Sequence, residues 1–86
     1  MPGYYGPETG AYIGPIEVLV RVFDGRDWEV VHYGETDSLT NDTSSADEAF
    51  DDHVAIANTE GYRIVEMVSR INEDSDETVI REFRRD

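Results

Sequence analysis

The spacing of apolar residues along the chain predicts two β-hairpins separated by one helix. β-Branched and aromatic residues dominate four short segments, and in the first of them every second residue is apolar. We predict these segments to be strands; they are residues 16–23, 28–33, 62–71 and 78–84. The turn Asp24-Gly25-Arg26-Asp27 separates the first two, and Gly25 can adopt the positive φ that a tight hairpin turn requires.

A helical period follows a polar stretch, residues 34–44, which we predict to be a loop. Ser45 and Glu48 have the spacing of a reciprocal capping box, and Gly61 is placed to end the helix. The apolar stripe of this helix consists of Ala46, Ala49, Phe50, His53, Val54 and Ala57. The order strand, strand, helix, strand, strand predicts an α+β fold (ββαββ) whose helix covers one face of an antiparallel sheet.

We expect the core to join this stripe to one face of the strands. The residues assigned to it are Val18, Val20, Val22, Val30, Phe50, Val54, Ile64 and Val65.

Residues 1–15 differ in composition from the rest of the chain. All three prolines and four of the seven glycines lie there, with Tyr4, Tyr5 and Tyr12 between them. This composition predicts an irregular N-terminal arm, followed by a single ββαββ domain over residues 16–86. Because tyrosine offers rigid, amphipathic contact area, the three tyrosines are candidate partner-binding residues. The alternative is an arm without a role in binding.

Charge narrows the choice of partner. Twenty Asp and Glu residues face seven Arg and no Lys, which gives a formal net charge of −13. A folded chain of this size exposes about 5,200 Å² of surface, so one net negative charge falls on every ~400 Å². Such a field repels nucleic acid and anionic membranes and attracts basic surfaces. We therefore expect the partner to be a basic protein surface, with no direct binding to nucleic acid or to a membrane.

No pattern in the sequence points to catalysis, a metal or a cofactor. The chain has no Cys, and His32 has no serine or metal-binding partner at a telling spacing. Asn72, Asp74 and Asp76 alternate like the first ligands of an EF-hand, but Phe83 stands where the loop requires Glu. We expect no enzymatic activity, no cofactor and no bound metal. With no signal-peptide pattern and no long apolar run, the expected location is the cytoplasm.

The acidic residues are unevenly distributed along the chain. Between Arg26 and Arg63 lie ten acidic side chains and no basic one. We assign partner binding to the seven that fall on the predicted loop and helix, namely Glu35, Asp37, Asp42, Asp47, Glu48, Asp51 and Asp52. This pattern favours an inhibitor or nucleic-acid mimic that occupies the basic groove of a nucleic-acid-binding protein, as phage anti-defence and anti-CRISPR proteins do.

The alternative is a small housekeeping or ligand-binding domain of a halophile, whose acidity serves salt adaptation only. A homodimer that buries a sheet face or an edge strand suits this second interpretation.

The junction after the predicted helix resembles that of a known group of domains. Its sequence is Ala57-Asn58-Thr59-Glu60-Gly61-Tyr62-Arg63-Ile64-Val65, and Phe83-Arg84-Arg85 follows later. This helix-Glu-Gly-aromatic-strand pattern resembles small uncharacterised bacterial and phage ββαββ domains. The resemblance implies the fold over residues 16–85 and implies no activity.

Overall fold

A computed structural model describes residues 15–37 and 42–85, which form one antiparallel sheet of four strands with helical structure on one face. In chain order the elements are β1 (Pro15–Phe23), β2 (Trp28–Asp37), α1 (Ser44–Ala55), α2 (Ala57–Glu60), β3 (Ile64–Arg70) and β4 (Thr78–Arg84). The predicted α+β class is confirmed. Residues 1–14, which include Tyr4, Tyr5 and Tyr12, lie outside the described part of the chain.

The two hairpins share one sheet because the first strand of each pairs with the other. The strand order is β2-β1-β3-β4, and every neighbouring pair is antiparallel. The two helices therefore carry the chain from the edge strand β2 to the central strand β3. The central strands β1 and β3 contain most of the buried strand residues, whereas β2 and β4 expose theirs.

A β-bulge in β2 decides which valine reaches the core. Val20 pairs with His32 but Arg21 pairs with Val30, so Val31 is an extra residue in the ladder. Val31 packs against the core, whereas the side chain of Val30 is 54% exposed on the other face of the sheet. The assignment of Val30 to the core was wrong because a one-residue insertion reverses the alternation of faces.

The core lies between α1 and the face of the sheet formed by alternate residues of β1 and β3. Its buried members are Val18, Val20, Val22, Ala46, Phe50, Val65 and Met67. Val54 packs against this cluster, as expected, and is partly buried. Ile64 does not belong to it. Ile64 pairs with Phe23 and is only half-buried, because the strand alternation turns it away from the face that holds Val65.

The loop and the helix cap differ from the prediction. β2 continues through Gly34 to Asp37, so the predicted loop at residues 34–44 begins too early. α1 begins at Ser44, which places Ser45 inside the helix, and the predicted capping box does not form. The helical segment is broken at Ile56, and Gly61 ends α2 with φ 80°, as expected.

Candidate functional site

The seven acidic residues assigned to partner binding lie on three parts of the fold. Glu35 and Asp37 are on β2, and Asp42 immediately precedes α1. Asp47, Glu48, Asp51 and Asp52 are on α1 itself. The candidate arm residues Tyr4, Tyr5 and Tyr12 lie outside the described residues.

Arg81 of β4 binds one row of these carboxylates. Its two terminal nitrogens each lie 3.0 Å from a carboxylate oxygen, one of Asp47 and one of Asp51. The guanidinium carbon is 4.2 Å from the centre of the Phe50 ring, so the arginine lies across the core aromatic. Sequence reasoning missed this contact because Arg81 is at least 30 residues away in the chain. Asp47 and Asp51 are therefore partly neutralised within the fold.

Glu48 and Asp52 form a second row, which we call the acidic row. The two residues are one helical turn apart, and both are exposed. Neither side-chain carboxylate forms a hydrogen bond or ion pair with another residue in the described ranges. The four carboxylates of α1 lie within residues 47–52, which span roughly 9 Å of helix axis. After subtraction of the one positive charge of Arg81, three net negative charges remain over this stretch. This density, about one charge per 3 Å, is close to the one per ~3.4 Å of a single DNA strand.

A polar cleft of about 460 Å³ lies between β2 and the start of α1. Its lining includes Glu35, Thr36, Asp42 and the hydroxyl residues that open the helix. The backbone N–H of Ser44 and its hydroxyl both donate to Oδ1 of Asp42, at 3.0 and 2.8 Å, and these bonds lower the pKa of Asp42 below its ordinary value. The cleft therefore keeps a negative wall at neutral pH and suits cationic rather than anionic groups.

Charge is also polarised along the strands. At the end of the sheet where β1 begins and β3 turns into β4, which we call the acidic end, Arg70 is accompanied by eight acidic residues. These are Glu17, Glu35, Asp37, Asp42, Glu73, Asp74, Asp76 and Glu77. The opposite end, at the β1–β2 turn and the end of β4, is the arginine end. Within the described residues, it holds Arg26, Arg63, Arg84 and Arg85 among five acidic residues.

The sheet face away from α1, which we call the open face, carries a charge network. Nε of Arg21 lies 2.9 Å from Glu66, and its Nη1 lies 2.8 Å from Glu77. Nε of Arg70 lies 2.7 Å from Glu17, and its Nη1 lies 3.6 Å from Glu77. The hydrogen bond from Arg70 lowers the pKa of Glu17 below its ordinary value. Both arginines thus have their charge matched within the fold.

The charge network explains why two apolar residues on the open face are buried. Leu19 and Val68 are paired neighbours, and they lie in register between the levels of Arg21 and Arg70. Because Glu77 contacts both arginines, the network spans this level, and Leu19 and Val68 are 6% and 0% exposed. Apolar side chains on the flanking strands remain exposed, among them Trp28, Tyr33 and Val79. The alternation in β2 alone did not reveal this face, because the bulge changes its phase.

The described residues contain no preassembled metal-binding group. No cluster of three or more His, Asp or Glu side chains within them is placed to hold a metal ion. His53 contacts the carbonyl of Ala49 through Nδ1 at 2.7 Å, and within the described ranges His32 forms no hydrogen bond to a serine. No helix in the part of the chain that the structure covers is long and apolar enough to cross a membrane.

Comparisons of the chain with protein-family models, with curated proteins and with solved structures found no match.

Proposed function

We propose that this protein is a non-enzymatic binding protein whose acidic surface occupies the basic groove of a nucleic-acid-binding protein, in the manner of phage anti-defence and anti-CRISPR mimics. The observation that carries this proposal is the acidic row of α1. Glu48 and Asp52 project carboxylates without a partner in the described residues, and the stretch 47–52 of α1 that carries them has a net charge density close to that of a DNA strand. Such a target lies inside the cell, so the protein acts in the cytoplasm.

The binding mechanism is electrostatic and steric. Carboxylates of the acidic row and of the cleft beside it accept hydrogen bonds from Arg and Lys of the target, as phosphates would. Because α1 packs on the sheet through Ala46 and Phe50, its backbone is a rigid support, so binding has to order the acidic side chains but not the helix itself. The surrounding acidic end steers the encounter, and Tyr4, Tyr5 and Tyr12 supply apolar anchors.

Removal of the acidic row should weaken binding without loss of the fold. The double variant Glu48→Gln with Asp52→Asn keeps side-chain size and removes two charges that have no partner in the described chain. Against Arg or Lys in a desolvated groove, the two charges together should contribute at least ~1.4 kcal/mol, which is a tenfold change in affinity. The measurement is retention of proteins from a lysate of the source cells on the immobilised parent and variant chains.

The matched control is Asp27→Asn with Glu60→Gln. It also removes one Asp and one Glu charge, from exposed positions at the arginine end. The parent and control chains should retain the same basic, nucleic-acid-binding protein, and the acidic-row variant should retain at least tenfold less. Equal losses from both double variants would mean that net charge alone governs retention, and the proposed site would be wrong.

A further inference from the structure

The open face carries two strips of exposed apolar side chains on either side of its charge network. On β2, Trp28 is 46%, Val30 54% and Tyr33 51% exposed; on β4, Val79 is 47% exposed. Trp28 stacks against Phe23, with ring centres 5.0 Å apart, so the β2 strip continues onto β1. Single exposed apolar residues are ordinary, but four on one face of a 9.8 kDa protein, three of them along β2, indicate a contact surface.

The chemistry of this face differs from that of the acidic row. Arg21 and Arg70 hold Glu17, Glu66 and Glu77 in ion pairs, and Arg84 holds Glu82. With Glu35, which pairs with Glu17 in the ladder, the face carries five acidic residues and three arginines, so most of its charge is matched and two net negative charges remain. A basic partner would gain little here, whereas a partner with the same apolar strips would bury them. A second copy of this chain supplies such a surface.

The edges of the sheet are less suited to self-association than its face. β2 contains the extra residue Val31, and the register shift in β4 makes Ile80 an extra residue opposite β3. Bulges interrupt the regular row of N–H and C=O groups that edge-to-edge pairing needs. Face-to-face packing has no such requirement.

We propose that the open face packs against the open face of a second copy of this chain, which forms a two-fold symmetric dimer. Four strands about 4.8 Å apart and seven residues of about 3.3 Å each give a face of roughly 450 Å². Side chains make each face uneven, so its accessible area is larger than this flat value. The total area buried by the two copies therefore approaches the ~1,000 Å² expected of a specific interface.

Charge selects the orientation of the two copies. A two-fold axis along the strands would place the two acidic ends on top of each other. Glu17, Glu35 and Glu77 of the two copies would then lie close together and repel. An axis in the same plane but perpendicular to the strands stacks each acidic end on an arginine end. In that arrangement β4 lies over β4 of the partner, and Arg84, whose Nε lies 3.1 Å from Glu82 of its own copy, approaches Glu77 of the partner subunit with its remaining nitrogens.

The sole tryptophan reports directly on this contact, because Trp28 lies on the open face and is 46% exposed. We expect the mass of the full chain, measured by sedimentation, to rise from 9.8 kDa to twice that value as concentration increases through the micromolar range. The emission of Trp28 should shift to shorter wavelength in parallel. A chain that stays monomeric with concentration-independent emission would overturn the proposal.

Val30→Lys and Val79→Lys place a charge within the contact while they reduce the net negative charge of the chain. Each should raise the dissociation constant at least tenfold. Two separate variants are used so that the test still stands if one of them fails to fold. Ile56→Lys is the matched control, because Ile56 is 42% exposed at the junction of α1 and α2, away from the open face. Equal dissociation of the control would place the interface elsewhere and overturn the proposal.

Two further variants test the orientation and the occupant. Arg84→Glu should weaken the antiparallel dimer several-fold, whereas an unchanged or tighter dimer would contradict the proposed axis. Replacement of Tyr4, Tyr5 and Tyr12 by Ser should leave the dimer intact. If the parent is instead monomeric and these Ser substitutions shift Trp28 emission to longer wavelength, the N-terminal residues occupy the face and a second copy does not.

Discussion

At the scale of single residues, the arginines explain how so acidic a chain keeps a stable fold. Arg21, Arg70 and Arg81 each contact two carboxylates through different nitrogens of one guanidinium group. A planar fork can do this with little loss of entropy, whereas a lysine offers one point charge. The basic side chains therefore act largely inside the fold, and exposed residues such as Glu48 and Asp52 stay unmatched within its described part.

The Glu17–Arg70 ion pair makes stability depend on pH. The pKa of Glu17 is lowered in the fold by the hydrogen bond from Arg70, from an ordinary value of 4.5. The pair therefore stabilises the fold fully above about pH 4.5, and its contribution is lost as pH falls through the lower pKa of the folded state. We expect the difference in unfolding free energy between the parent and Glu17→Gln, from urea denaturation, to be constant near neutral pH and to vanish in acid.

The opposite trend would contradict the assignment. If the difference grows below pH 4.5, or is absent at neutral pH, the ion pair seen at 2.7 Å does not contribute to stability. Arg70→Gln, which removes the donor, should reproduce the pH profile of Glu17→Gln.

At the scale of elements, the contact of α1 with the sheet depends on Phe50. This residue is 5% exposed, belongs to the core cluster and lies beneath the guanidinium of Arg81. Phe50→Ala should lower the free energy of unfolding by ~3–5 kcal/mol, since it leaves a cavity and removes the surface on which Arg81 rests. Thermal and urea denaturation measure the change.

Ile56→Ala provides the comparison for this prediction. Ile56 is 42% exposed at the break between α1 and α2, so the change should cost less than ~1 kcal/mol. Similar losses from Phe50→Ala and Ile56→Ala would mean that α1 does not anchor the core through Phe50.

The elements themselves were predictable because each has a strong local signal. Alternation in β1, the turn at Gly25 and the helical stripe that contains Phe50 each depend on residues close together in sequence, and the structure confirms all three. The bulge at Val31 was not predictable, because either phase of β2 places one valine on the core face. Strand order was not predicted either, since it depends on the pairing of β1 with β3 across the helix.

The candidate site was predictable only in part. Clustering along the sequence singled out Glu48 and Asp52, which the structure places on the outer side of α1. It gave no sign that Arg81 would neutralise Asp47 and Asp51, because that contact depends on the position of β4 in the sheet. The apolar strip on the open face was likewise hidden by the bulge in β2.

At the scale of the whole molecule, charge is concentrated rather than spread. Eight acidic residues lie with one arginine, Arg70, at one end of the described sheet. The arginine end is nearly balanced. A protein polarised in this way is oriented by the field of a basic partner before contact, which raises the rate of association and makes it sensitive to salt.

Competition with duplex DNA tests the central claim most directly. The target retained by the immobilised parent chain is purified and bound again, and duplex DNA is then added at increasing concentration. If the acidic row occupies the groove that binds nucleic acid, DNA and this protein exclude each other, so the target is released in proportion to the DNA added. A stable complex that contains the protein, the target and DNA together would contradict the account.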